Sequence, residues 1–299
     1  MFLSLTAGLL LAAALPGAHA FSQGAGEAGT TDIIQGDTDH TRRLTVPVRL
    51  ENQGPFDFLI DTGSQTTVVS SALANQLALQ PSRPARIIGV GGVETVDTAI
   101  IEELHLGRKL LVALEVPMLE RRHIGADGIL GLDSLQGQRV LLDFTRNVMA
   151  VGEANALGGN KGFDIIVTAR SRSGQLIMTN AIVDGIKVDV VIDTGSDATI
   201  GNLALQRAVG HRNASAEAML TSVTGQQIMA RVAYPRKLSI GELDINNIAI
   251  AYADSPVFET LALNRRPAML LGMSELRLFK RVAIDFNTRK VFFDLPPSR

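Results

Sequence analysis

"LIDTGSQTT" runs from Leu59 to Thr67, and "VIDTGSDAT" runs from Val191 to Thr199. Both set Asp-Thr-Gly-Ser directly behind an apolar run, and the shared fourth residue and similar flanks argue against coincidence. An Asp that ends an apolar strand and is followed by Gly marks a tight turn leaving a core. Glycine there lets another backbone or a ligand come close.

Outward from these motifs, the chain is written twice. "GVGGVETV" (Gly89 to Val96) follows the first, and "SVTGQQIM" (Ser222 to Met229) follows the second. "LHLGRKL" around Gly107 is echoed by "LSIGELDI" around Gly241, and "GILGLDSL" (Gly128 to Leu135) by "MLLGMSEL" (Met269 to Leu276). "VLLDFTRNVMAV" ending at Val151 matches "VAIDFNTRKVFFDL" ending at Leu295. The order is the same in both copies, with a small insertion in the second between Gly241 and Leu270. Two copies make a duplication, not a solenoid.

The joint falls in "GEANALGGNKG" (Gly152 to Gly162), which is Gly- and Asn-rich and has no apolar periodicity. The expected organisation is a first lobe over 44–152, a linker over 153–162 and a second lobe over 163–296. Residues 21–43 are polar and Gly-rich and are expected to lie loosely on the surface. Ahead of them, an apolar stretch from Phe2 to Leu15 ends in Pro16 and Ala18-His19-Ala20, a small-x-small pattern. No Lys or Arg precedes it, so the amino group of Met1 supplies the positive charge. The stretch is short for a membrane span, so residues 1–20 are expected to be a cleaved signal peptide of a periplasmic or secreted protein. Membrane attachment is expected only if that segment is not cleaved.

Within each half the pattern is mostly strand. "RLTVPVRL" and "FDFLID" flank an "ENQGP" turn, "VDTAIIEELHLG" and "KLLVALEVP" extend the set, and "IVDGIKVDVVID" carries an Asp-Gly hairpin turn. Short helices are expected near Ser71–Leu79 and near Asn202–Val209, with single turns after Gly131 and its counterpart. The predicted fold class is all-β, with two pseudo-symmetric barrel-like lobes and a cleft between them.

Composition narrows the function. An apolar share of 46% with 19% charged residues describes a folded protein. A net charge of −2 without a basic run gives no grip on nucleic acid. Arg42-Arg43, Arg121-Arg122 and Arg265-Arg266 are isolated pairs that suit solvated surface. Cysteine and tryptophan are absent, so disulfides, thiol catalysis and cysteine-ligated metals are ruled out. His40, His105, His123 and His211 lack metal-ligand spacing, and no metal or cofactor is expected.

A pseudo-two-fold axis between the lobes would bring Asp61 and Asp193 together. Two carboxylates about 3 Å apart do not both ionise easily, so they share a proton and offer one acid and one base. That pair suits general acid–base hydrolysis of an amide, with no metal and no covalent intermediate. Ser64 and Ser196 are expected to donate to the outer carboxylate oxygens, and Thr62 and Thr194 to hold the two loops together.

Asp61-Thr62-Gly63-Ser64 with Ile129-Leu130-Gly131, and Asp193-Thr194-Gly195-Ser196 with Leu270-Leu271-Gly272, resemble the Asp-Thr-Gly and apolar-apolar-Gly motifs of aspartic proteases. The resemblance covers about 45–151 and 163–295 in the family's order. It implies a bilobal acid-protease fold, catalytic Asp61 and Asp193, and a cleft for an extended polypeptide. Gly89, Val90, Gly91 and Gly92 resemble a retroviral-type flap, with Val223, Thr224 and Gly225 as a second. No tyrosine falls in the first flap region, cysteine is absent and 21–43 is not basic. A retropepsin-like single chain therefore fits better than a pepsin-like one, and a monomer is expected.

Two other readings stand beside it. An actin- or Hsp70-type ATPase also places Asp-x-Gly turns after apolar strands in related halves, but this chain lacks long helices, and its first Asp-Thr-Gly follows a hairpin strand (Leu44–Leu50) instead of opening the domain. A non-catalytic peptide-binding module of the same fold would keep the architecture without the chemistry. "GVGGVE" lacks the Lys-Ser/Thr of a phosphate loop, no Gly-x-Ser-x-Gly occurs, and Asn213-Ala-Ser matches a glycosylation sequon by letters alone.

Overall fold

The computed structural model describes residues 3–7, 10–12, 32–35, 37–38, 44–107, 109–210 and 214–295. Pro16, Ala18 to Ala20, residues 21–31, His40, Arg42-Arg43, His211 and Asn213 lie outside them. The described chain is mostly strand in two lobes, as expected for a bilobal retropepsin-like fold.

The first lobe is a closed barrel of six strands: Leu44–Leu50, Gln53–Ile60, Gly128–Leu130, Val68–Ser70, Lys109–Leu119 and Thr98–Leu106. Pairing of Leu104 with Leu50 closes the ring. Alternation puts Val46, Val48, Leu50 and Phe58 inside, all fully buried, and closure leaves these strands no free edge. The second lobe carries the corresponding strands in an open sheet, in the order Gln175–Val183, Ile186–Ile192, Ala268–Leu271, Thr199–Gly201, Ile250–Tyr252 and Gln227–Ala233. Asp184 and Gly185 both take positive φ in the two-residue turn between Gln175–Val183 and Ile186–Ile192, the geometry an Asp-Gly hairpin demands.

In both lobes the apolar-apolar-Gly strand wedges between the arms that carry the Asp loop. Gly128–Leu130 runs parallel to Phe58–Ile60 and antiparallel to Val68–Val69. Ala268–Leu271 runs parallel to Asp189–Ile192 and antiparallel to Ile200–Gly201. The helices that follow are Ser71–Gln76 and Leu203–Val209, capped by Ser70 Oγ and Asn202 Oδ1 on the amides of Leu73 and Leu205. Single turns follow at Leu132–Leu135 and Met273–Leu276, and the insertion of the second half supplies a short helix at Pro256–Thr260.

A six-stranded sheet joins the lobes, in the order Ile165–Arg172, Lys290–Asp294, Arg281–Asp285, Arg139–Asp143, Val148–Gly152, Asp32–Gln35. Its middle pair is antiparallel and centred on Leu141 opposite Ala283, which places the pseudo-two-fold there. Arg139 and Asp285, each 2% exposed, form an ion pair at 2.7 Å at one end of this strand pair. The Arg139 guanidinium also donates to Gly159 O and Asn160 Oδ1 and covers the Phe292 ring. The Gly-rich joint is thus pinned to the sheet.

One expectation for residues 21–43 changes. Asp32–Gln35 is not loose chain but the outer strand of this sheet, paired antiparallel with Val148–Val151. It occupies the position that Ile165–Arg172 takes on the other side, because duplication leaves an equivalent edge that a strand can satisfy. Farther upstream, Leu3–Ala7 pairs in parallel with Ala218–Ser222, and Leu10–Ala12 pairs antiparallel with Ile87–Gly89. Among the described residues, no helix is long and apolar enough to cross a membrane.

Candidate functional site

Asp61 and Asp193 each close an apolar strand, and each backbone amide is held by the wedge strand: Asp61 N on Leu130 O at 3.1 Å, Asp193 N on Leu271 O at 3.0 Å. Glycine is required just beyond each wedge. A Cβ on Gly131 would lie 2.4 Å from Thr66 O, and one on Gly272 would lie 2.4 Å from Ala198 O. These are separations no side chain tolerates.

The two loops meet through their threonines. Thr62 N donates to Thr194 Oγ1 at 3.0 Å, and Thr194 N to Thr62 Oγ1 at 3.3 Å. Each hydroxyl donates in turn across the interface, Thr62 to Ile192 O at 2.9 Å and Thr194 to Ile60 O at 2.6 Å. Both threonines are buried, so this reciprocal set is screened from water and fixes the separation of the loops.

That docking sets the Asp193 carboxyl beside that of Asp61. Asp61 is 1% exposed and Asp193 fully buried. Burial pushes the Asp61 carboxyl well above the usual carboxylate range, and the charge of Asp193 adds to the rise. Opposing this, Gly63 N and Ser64 N donate to Asp61 Oδ1 at 2.8 and 3.0 Å. Gly195 N donates to Asp193 Oδ1 at 3.0 Å. Asp61 Oδ2 is buried and receives no hydrogen bond from a donor among the described residues. The Gly195 backbone lies so near that a Cβ there would sit 2.2 Å from Asp61 Cγ.

The serine hydroxyls behave differently from expectation. Ser64 Oγ donates to Thr66 O and Ser196 Oγ to Ala198 O, both at 2.8 Å. They brace their own loops, because a side chain two residues from a carbonyl in a tight turn finds that acceptor first. The donors on Asp61 Oδ1 are backbone amides.

Both glycine-rich segments form hairpins. Ala85–Gly89 and Gly92–Val96 flank Val90 and Gly91, and Ala214–Ser222 and Gln227–Ala233 flank Val223, Thr224 and Gly225. The tips meet: Gln226 Nε2 donates to Val93 O at 3.4 Å, and Gly91 and Gly92 pass directly under Gln226. Val90 packs into a cluster of the second lobe with Val191, Ile200 and Phe258. Val223 packs into one of the first lobe with Leu59, Ile124 and Ile129. His123, expected on the surface or in a hydrogen-bonded core, instead abuts Gly225 of the second tip.

Several residues around the site were not singled out from sequence. Thr67 Oγ1 accepts from Gly131 N at 3.2 Å and donates to Asp133 Oδ1 at 2.7 Å. In the second lobe Thr199 Oγ1 accepts from Gly272 N at 3.0 Å and donates to Glu275. In each lobe the threonine ties the Asp loop to its wedge glycine and to a nearby acid. Burial pushes Glu275 up to about 7, against the opposing bond from Thr199. A signal did exist, since an acid lies in the first turn after each apolar-apolar-Gly. It is hidden by an offset of one residue, offset by one methylene, between Asp133 and Glu275.

A family model described as aspartyl protease matches residues 46–134 and 179–274, one stretch in each lobe and together more than half of the chain. No curated protein matches it.

Proposed function

The chain belongs to the aspartyl protease family, and on that footing we propose that it is an endopeptidase in which Asp61 and Asp193 jointly activate one water. What supports this reading is the burial of the two carboxyls side by side, with Asp61 Oδ2 accepting from no donor among the described residues. Like charges in that position hold one proton between them.

The ionised member takes a proton from the water as it attacks the peptide carbonyl. The protonated member gives its proton to the carbonyl oxygen, so a neutral tetrahedral diol forms. In the collapse the protonated member gives its proton to the leaving nitrogen while the ionised member takes one from a diol hydroxyl, so the C–N bond breaks and the singly protonated pair is regenerated. The amides of Gly63, Ser64 and Gly195 support the charged form. The Thr62–Thr194 bonds hold the reacting groups at a constant spacing, which converts a bimolecular encounter into a positioned one.

Substrate lies extended between the hairpin tips and the dyad, its backbone paired as an added strand and its side chains alternating between pockets. The apolar clusters beneath Val90 and Val223 favour apolar side chains beside the scissile bond. The apolar run from Phe2 to Leu15 and Ala18-His19-Ala20 support action outside the cytoplasm, checked by sequencing the N-terminus of the protein recovered from its native cells.

The test is digestion of a peptide library between about pH 4 and 7 by the wild type, Asp61→Asn and Asp193→Asn. Cleavage by the wild type alone, blocked by a statine-type inhibitor, supports the assignment. Cleavage that survives either substitution, or that needs ATP or a metal, defeats it. A binding module would retain its peptide in Asp61→Asn and show no cleavage in any form.

A further inference from the structure

The hairpin of Ile165–Arg172 and Gln175–Val183 belongs to the second half, yet its turn lies against the Asp loop of the first. Gln175 is fully buried, and its Nε2 donates to Gly63 O. In return, Gln65 Nε2 of the Asp loop donates to Ser173 O at 2.9 Å. The carboxamide has one orientation open to it, because a carbonyl can only accept. In that orientation Gln175 Oε1 is buried and takes no donor among the described residues. Burying a carboxamide with its oxygen unsatisfied is costly, so packing alone is a poor reason for a glutamine there.

The Gly63 carbonyl and the Ser64 N–H belong to one peptide plane. Gln175 grips that plane at its oxygen, and the other side donates to Asp61 Oδ1 at 3.0 Å. A donor on the carbonyl turns the plane and polarises its N–H, strengthening the bond on the carboxylate. We propose that Gln175 is a positioning residue for the reaction, setting from the opposite lobe the peptide plane that holds the Asp61 carboxylate. The residue at the equivalent place before the first lobe's strand is Arg43, so duplication gives no sign of it.

The inference rests on the proposed peptidase chemistry, and its test starts only from wild type that cleaves and Asp61→Asn that does not. Gln175→Met keeps the size and removes the donor. The expected result is a fall in kcat on the order of tenfold with KM nearly unchanged. The acid limb of the pH–rate profile should move to higher pH, because the ionised Asp61 loses support. Gln175→Glu restores a donor when protonated, so it should exceed Gln175→Met at the acid end and lose that advantage as pH rises. Wild-type kcat and pH profile in Gln175→Met, or identical profiles for Met and Glu, overturn the proposal while leaving the peptidase assignment intact. Should Gln175→Met fail to fold, Gln175→Glu decides alone: kcat near wild type at the acid end that falls away as pH rises supports the proposal, and a wild-type kcat and profile across the range overturn it.

Discussion

Val90 and Val223 exchange lobes: each sits at the tip of its own lobe's hairpin and is buried, at 0% and 1% exposure, in the apolar cluster of the other. Burial of these aliphatic side chains holds the tips against the opposite lobes more firmly than the long bond from Gln226 does. A substrate side chain entering either cluster competes with the protein's own valine.

Replacing either tip valine with serine should remove about 2 kcal/mol from closure. Backbone amides at 88–92 and 222–226 should exchange with solvent faster, while the barrel strands keep their protection. Unchanged exchange at both tips would mean that the valines do not hold the hairpins down.

Gly195→Ala should abolish peptide cleavage. Its Cβ would lie 2.2 Å from both Asp61 Cγ and Asp61 Oδ2, so one loop must move and the carboxyl pair is broken. Kinetics with a cleavable peptide check this, and activity within tenfold of wild type would contradict the close approach.

Glu275 should make stability fall as pH rises. Its carboxyl is neutral in the fold up to about 7, whereas in the unfolded chain it ionises near 4.5. Its stabilisation is complete below the lower value and lost as pH climbs through the upper one, on the order of 3 kcal/mol across the window. Glu275→Gln should flatten the slope of unfolding free energy against pH relative to wild type. A slope identical to wild type would show that Glu275 is already ionised in the fold.

Arg139→Ala should cost roughly 3–5 kcal/mol, because Asp285 is left charged and buried at the centre of the sheet that joins the lobes. Replacing the pair together with Met and Leu should recover much of the loss. Denaturant titration of the three variants measures this, and a double replacement no better than Arg139→Ala would assign the cost to lost packing on Phe292 instead.

The repeated Asp-Thr-Gly-Ser, the order of its companion motifs, the Asp-Gly turn and the short capped helices were legible from the chain alone. Each is a local pattern, set by strand alternation, turn chemistry or a capping side chain within a few residues. The meeting of Asp61 with Asp193 could be expected from duplication, since equivalent loops face each other across a two-fold. The strand at Asp32–Gln35 could not, because a sheet edge that needs a partner is visible only once the lobes are docked. The same holds for the lobe exchange of Val90 and Val223, the Gln175 bond to Gly63 and the Arg139–Asp285 pair. The serine hydroxyls were misassigned because the competition between a nearby carbonyl and a distant carboxylate is settled by turn geometry. Sequence determined the two lobes and their reactive loops, since those depend on neighbours along the chain. Tertiary structure alone decided what each lobe lends to the other, since those contacts depend on the angle and distance at which two folded halves dock.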